Sequence, residues 1–270
     1  MAQTLKFGNK TWATKVGSTL AYNDENGNYK PLPFAFTRST SATRVNKEGL
    51  IEVVTNDRPR IDYKDTSDGV LLLEKAATNL ITYSEDFSNS YWTKSGASVV
   101  SGFTSPSADS PLGAFKLVEG TNNGAHFINT PHELSINGTA TTHIYAKKGE
   151  RNAIKLSTNG VILAGCYANF DLLNGVVSAS ALCTATIKSF GDYYKCSFTY
   201  ASNGATAPQS YLVLLKDATD STFQSYQGDG TSGVYIFGAM LEQNSVASSY
   251  IPTQGSASTR VAETASGSGN

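Results

Sequence analysis

The chain is predicted to be all-β: an extended N-terminal segment of short hairpins followed by a jelly-roll-like β-sandwich. Three observations predict this. Strand-like apolar runs alternate with turn signals from about residue 79 onward. Asn-Gly and Gly-Asp pairs recur between those runs, and Asn and Gly both tolerate the positive φ of tight hairpin turns. No stretch carries a strong helical period, and no strand–helix alternation suggests an α/β fold.

In chain order, residues 1–78 read as short irregular strands and turns. Asn23–Asn28 is a turn-rich insert. Asn46-Lys-Glu-Gly49 turns the chain into the apolar run Leu50–Val54. Arg60–Tyr63 is extended, and Thr66-Ser-Asp-Gly69 turns into Val70–Leu73. These runs are short for an independent core, so the segment is expected to lie along a neighbour such as a second copy of the chain, and to serve anchoring or oligomerisation.

Residues 79–262 carry the sandwich pattern. In Tyr193–Tyr200, Tyr194, Cys196, Phe198 and Tyr200 fall on one face, with Tyr193, Lys195, Ser197 and Thr199 on the other, the period of a half-buried strand. Ala153–Ser157 and Cys166–Leu172 alternate in the same way, while Tyr211–Leu215 and Val234–Phe237 are more continuously apolar, as central strands are. Turns at Asn122–Gly124, Ile136–Gly138, Asn159–Gly160, Leu173–Gly175, Gly191–Asp192, Asn203–Gly204 and Gly228–Gly230 separate about eight to ten strands, the number a jelly roll or related two-sheet sandwich uses. The small, polar residues 263–270 read as a flexible tail or linker.

Composition narrows the function. With 21 basic and 22 acidic residues, a net charge of -1 and no basic cluster, the chain offers no footprint for nucleic acid. No apolar run is long enough for a membrane helix, and the N-terminus lacks the pattern of a secretory signal. Cys166, Cys183 and Cys196 lack metal-like spacing and read as small buried hydrophobes of a protein folded in a reducing compartment. Of the histidines His126, His132 and His143, none sits in a zinc or catalytic pattern. No nucleophile elbow is present, and no sequence signal pairs two carboxylates as glycoside hydrolysis requires. A non-enzyme without a cofactor is therefore expected.

Two phrases near the ends carry a resemblance. The first, 36–87, contains Arg38, Ser41-Ala-Thr43, Arg44, Gly49, Arg60, Asp62, Tyr63, Glu74 and Asn79, then Ser84-Glu-Asp-Phe87, and is followed by the aromatic pair Tyr91-Trp92. The second contains Gly228-Asp229-Gly230, Gly233–Gly238, Leu241-Glu242 and Tyr250-Ile-Pro252-Thr253. Together they resemble the structural proteins of tailed-phage fibres and head spikes, which bracket a carbohydrate-binding-module-like sandwich in this way; Met240 stands where such proteins often have Gln. The resemblance implies a non-enzymatic virion part assembled in the bacterial host cytoplasm. Its partners would be other virion proteins, two further copies in a homotrimer, and a host-surface glycan. A purely structural capsid-decorating or collar protein, or a polysaccharide-degrading spike, are the alternatives.

Glycan binding by such a module would use exposed aromatics that stack on sugar rings. Tyr91, Trp92, Tyr167 and Tyr226 are the candidates; the polar stretch around Trp92 is compatible with exposure, but packing in the core or at the sandwich end is the favoured reading over ligand contact. Sandwiches of this type often carry a structural calcium, for which the loop residues Asp217, Asp220 and Asp229 are weak candidates beside the simpler reading of solvated carboxylates. The remaining motif residues are expected to be structural. Gly228, Gly230 and Gly238 permit turns and close backbone approach, Pro252 ends a strand, and Tyr250 ties that end back through its hydroxyl.

Overall fold

The computed structural model describes residues 3–5, 11–15, 18–24, 26–32, 34–130, 134–206, 211–215, 218 and 224–266. The fold is all-β. Among the described residues, two six-stranded antiparallel sheets are built from strands numbered in chain order: β1 (Thr93–Ser95), β2 (Ala97–Phe103), β3 (Ala114–Glu119), β4 (Phe127–Asn129), β5 (Ser135–Lys148), β6 (Ala153–Ser157), β7 (Tyr167–Asp171), β8 (Val176–Ala179), β9 (Cys183–Phe190), β10 (Tyr193–Thr206), β11 (Tyr211–Leu215) and β12 (Gly233–Glu242). The first sheet runs β1-β4-β11-β6-β7-β8 and the second β2-β3-β12-β5-β10-β9.

The pairing has a simple logic. Of the eight central strands, β3 pairs with β12, β4 with β11, β5 with β10 and β6 with β7. First meets last, second meets seventh, and so inward, as when one long hairpin is rolled over itself. The strands β1, β2, β8 and β9 extend the sheet edges.

One apolar core fills the space between the sheets. Ile154, Leu156, Phe170, Leu212 and Leu214 come from the first sheet; Phe115, Leu117, Ile144, Phe198 and Ile236 come from the second. The alternation in 193–200 lies as its pattern predicts, with Cys196, Phe198 and Tyr200 in this core. The expectation that the strand is half-buried is corrected. Tyr193, Lys195 and Ser197, on the opposite face, are buried as well, because a second apolar layer covers that side. In it Val45, Ile51 and Ala77 of the N-terminal segment pack against Tyr145, Phe190, Tyr193, Phe237, Met240 and Tyr250.

Described residues of the segment 1–78, Val45, Ile51 and Ala77, thus pack on their own chain's sandwich. The hairpin Ala42–Val45/Ile51–Val54 turns through Gly49, whose φ is 79°. Gln3–Leu5, Val70–Leu73 and Arg60–Asp62 form a small sheet, and Ala77–Asn79 pairs with Ser258–Arg260. Residues 263–266 differ from the predicted tail: Thr264–Ser266 pairs with Ala35–Thr37, and Glu263 is buried. Their small polar side chains suit a two-stranded edge as well as a linker, so composition does not separate the two.

The three cysteines are free thiols. Cys183 and Cys166 are neighbours: each sulfur lies against a carbonyl beside the other cysteine, Cys183 Sγ 3.2 Å from the Tyr167 oxygen and Cys166 Sγ 3.9 Å from that of Leu182. A hydrogen bond from Cys166 stabilises the Cys183 thiolate and holds its pKa below the usual thiol range, while Cys166 is pushed up. Iodoacetamide at neutral pH is expected to label Cys183 first, with Cys166 and Cys196 reacting only after unfolding. Mass mapping checks this, and equal early labelling of all three contradicts it.

Candidate functional site

The seam between the N-terminal segment and the second sheet gathers most of the motif residues. Its centre is a buried ionic clasp. Arg38 and Arg60 reach it from the first phrase, and Arg260 and Glu263 from the end of the chain. The Glu263 carboxylate accepts from Arg38 Nη1 at 2.7 Å, from Arg60 Nε at 2.7 Å and from the Glu74 backbone N–H at 2.9 Å. Glu74 accepts from Arg60 Nη2 at 3.0 Å, the Ser249 hydroxyl at 2.6 Å and the Ser249 N–H at 2.9 Å, and Arg260 Nη1 lies 3.3 Å away. Burial pushes the Glu74 carboxyl up, but Arg260, Arg60 and Ser249 outweigh it and hold it at about 2. Further guanidinium donors go to backbone carbonyls, Arg60 to Thr43 and Arg38 to Thr40 and Thr55, and to the Ser249 hydroxyl, which Arg60 and Arg260 share. Removing one partner from such a group strands the other charges.

Other motif residues make hydrogen bonds or turns, some beside the clasp and Gly228–Gly230 against Gly120 and Thr121. Asp62 accepts from the N–H groups of Val45 and Lys64. Arg44 pairs with Glu52 across the hairpin at 2.9 Å, and the ring of Tyr63 lies under Lys47. The Tyr250 hydroxyl donates to Glu85 at 3.1 Å and contacts Ser84 Oγ at 2.7 Å, while Pro252 follows the extended Ile251. Gly238, with φ at 59°, forms a bulge opposite Ile144. The bulge resets the alternation of β12, so that Phe237 and Met240 face the outer layer while Ile236, Ala239 and Leu241 face the core. A Cβ on Gly228 would meet the Gly120 carbonyl at 2.0 Å, and Gly230 has φ at 77°. Asp229 accepts from the N–H groups of Thr231 and Ser232, both at 2.7 Å, closing its own turn.

Beside the clasp opens a cavity of about 670 Å³. Val45, Tyr145 and Phe190 give it an apolar side. Arg44, Lys64, Lys75, Lys188, Lys195 and Arg260 bring cationic groups, against Asp62, Asp65 and Glu74. Lys195 is buried, and its ammonium donates to the Ser248 carbonyl at 2.7 Å. Ser248 also donates through its N–H and hydroxyl to Glu242, a buried carboxyl that burial pushes up. His143 on β5 is fully buried beneath the same layer, against the Tyr145 and Tyr250 rings; burial keeps it neutral. A smaller pocket of about 200 Å³ contains Glu85, Asp86 and Asp109 beside Val53 and Leu112. Its carboxylates are engaged: Glu85 accepts from Ser110 and Tyr250, and Asp109 from the Val53 N–H.

The four aromatic candidates are buried or half-buried. Trp92 is 6% exposed; its indole donates to the Tyr83 carbonyl at 2.9 Å and its ring packs on Phe87. The polar stretch around it is a surface turn from which the ring points inward. Tyr226 is 7% exposed, with its hydroxyl on Glu119 and the Arg151 guanidinium over its ring. Tyr91 is half-buried, edge-on to Trp92, and Tyr167 is half-buried with Lys155 4.8 Å from its ring. His126 sits between the Gly96 and Tyr226 carbonyls. Asp217, Asp220 and His132 lie outside the described residues. Among the described residues no three His, Cys, Asp or Glu side chains gather to hold a metal, and no helix is long and apolar enough to cross a membrane.

Sequence reasoning missed Glu263, Arg260 and Lys195. Arginine and glutamate at both ends of a chain with 16% charged residues were the available signal for the clasp. For Lys195 the signal was a lone cation inside an aromatic-rich alternating strand. No protein-family model matches the chain, and no curated protein matches it.

Proposed function

We propose that this chain is a non-enzymatic structural component of a tailed-phage virion, of tail-fibre or head-spike type, which attaches to host-surface glycan. The observation that carries the proposal is the rolled-hairpin strand order, first with last through fourth with fifth, with the two family-like phrases clasped together beside it. That order supports the jelly-roll reading of the sandwich, an architecture of many viral and lectin domains. The buried clasp suits a particle component, since it ties both ends of the chain to one rigid body. The engaged carboxylates of the smaller pocket favour a non-enzymatic role over a polysaccharide-degrading one. The contact to glycan is assigned to the seam cavity. The proposed assembly is a homotrimer bound to other virion proteins, made in the host cytoplasm and needing neither nucleic acid nor membrane insertion. Several weak sugar contacts on one particle then add by avidity, by about 10² to 10⁴.

The burial of Trp92 and Tyr226 favours a second reading, a capsid-decorating or collar protein without a receptor. Binding of the labelled full chain to host cells, against a strain that lacks the surface glycan, separates the two. Attachment predicts binding to the first strain alone; a folded protein that binds neither belongs to the second reading.

A further inference from the structure

We propose that the seam cavity is an oxyanion-binding site whose ligand is a carboxylate-bearing sugar unit, held by Lys195 on its floor and by Lys188 and Lys64 at its rim. The sugar assignment rests on the glycan reading above; the oxyanion site rests on the geometry alone.

Three observations converge. First, the charges lining the cavity do not cancel once internal pairs are removed. Arg44 is paired with Glu52, and Arg260 and Glu74 belong to the clasp. Lys64, Lys75, Lys188 and Lys195 then face two carboxylates, Asp65 and Asp62, the latter already accepting from two backbone N–H groups. Second, Lys188 and Lys195 are direct cross-strand partners on β9 and β10. Like charges placed so are destabilising unless something between them is negative. Third, Lys195 is 6% exposed, and an ammonium with three donors makes one hydrogen bond, to the Ser248 carbonyl, among the described residues. A charge buried in this way calls for a counter-ion.

The titration of Lys195 agrees. Burial, then repulsion from Lys64 and Lys188, outweigh attraction from Glu242 and Glu74 and lower its pKa to about 7. His143 on β5 is neutral and adds no charge. A bound carboxylate would restore the ammonium. Asn244 and Ser245, with the Phe190 ring, offer an amide, a hydroxyl and the apolar face that a sugar ring uses, and the volume accommodates one or two sugar units.

Calorimetric titration of the full chain with glucuronate, glucose and inorganic phosphate tests the proposal. Glucuronate is expected to bind at pH 6, to weaken above pH 8 as Lys195 loses its proton, and to lose at least about tenfold in affinity in Lys195→Met. Glucose is expected to give no binding. Lys188→Gln, at an exposed position, is expected to weaken glucuronate severalfold with its melting temperature unchanged, which keeps the test valid if Lys195→Met misfolds. Absence of glucuronate binding, or binding indifferent to both substitutions, overturns the site. Phosphate binding tighter than glucuronate with the same lysine dependence overturns the sugar-carboxylate assignment. Cell binding without glucuronate binding defeats this inference alone; glucuronate binding without cell binding defeats the attachment reading alone.

Discussion

Glu263→Ala is expected to destabilise the folded chain by about 3–5 kcal/mol, the range for removing one partner of a buried ionic group. Glu263 is the shared acceptor of Arg38 and Arg60, and its carboxylate also receives the Glu74 N–H. Its loss leaves the buried Arg38 without its carboxylate, and Arg60 and Arg260 with Glu74 alone. The cost should fall on the attachment of both chain ends to the sandwich, so protection of amides 38–62 from hydrogen exchange should drop further than that of β5 or β10. Urea unfolding measures the total, and a loss below about 1 kcal/mol would mean that water or backbone rearrangement replaces the carboxylate. Replacing Arg38 by Met and Glu263 by Leu together should recover part of the loss, because an apolar pair leaves fewer charges unmatched.

The clasp also gives the stability an acid limb. Glu74 is held at about 2, below the ordinary carboxyl value of 4.5. A depressed folded pKa contributes stability that is present above pH 4.5 and is lost as pH falls toward 2. Glu242 and Glu85 act in the opposite sense. Burial raises their carboxyl pKa values, so their contribution is present at low pH and lost as pH rises through the folded values. The net curve should be shallow near pH 5 and steepen below 4.5, and Glu74→Gln should flatten that lower limb.

These residues mark where sequence reasoning holds and where it stops. Alternation in Cys166–Leu172 and in Tyr194–Tyr200 locates the core face because period two is a property of the strand itself. What covers the other face is a property of topology. Nothing local in Tyr193-Tyr-Lys-Cys says that residues 45 and 51 will close over it, so Lys195 reads as solvated when it is buried. Trp92 packs as the weightier of its two readings has it: its neighbours in sequence are polar, but its ring lies on Phe87 and its indole donates to the Tyr83 carbonyl. Arg38, Arg60 and Glu74 stand within one of the two phrases singled out in the sequence, while Arg260 and Glu263 sit beside a Ser-Gly-rich stretch that conceals their burial.

Asn79→Ala is expected to cost about 4 kcal/mol, the second largest effect of a single polar substitution in the seam. The reason lies in where β3 stops. β3 pairs with β12 only between residues 233 and 236, so the backbone groups of Ala239–Leu241 on that edge need other partners. The chain at 79–84 supplies them. Leu80 N–H donates to the Leu241 carbonyl at 2.8 Å, and Ala239 N–H donates to Ser84 at 2.9 Å. The fully buried Asn79 amide does the rest. Its Nδ2 donates to the carbonyls of Ala239 at 3.2 Å and Ile251 at 2.8 Å, and its Oδ1 accepts from the N–H groups of Ile81 at 3.1 Å and Leu241 at 3.2 Å. Alanine would strand four buried backbone groups, each costing about 1–3 kcal/mol when unsatisfied, with partial relief from local rearrangement. Asn79→Asp distinguishes this account from simple loss of volume. The carboxylate keeps the shape and both acceptor contacts but cannot donate to the two carbonyls, so at neutral pH it should destabilise as much as alanine or more. Tyr250→Phe, which removes one hydroxyl from Ser84 and Glu85, should cost only about 1 kcal/mol. If urea unfolding places Asn79→Asp close to wild type, the side chain is not acting as the missing strand of β12.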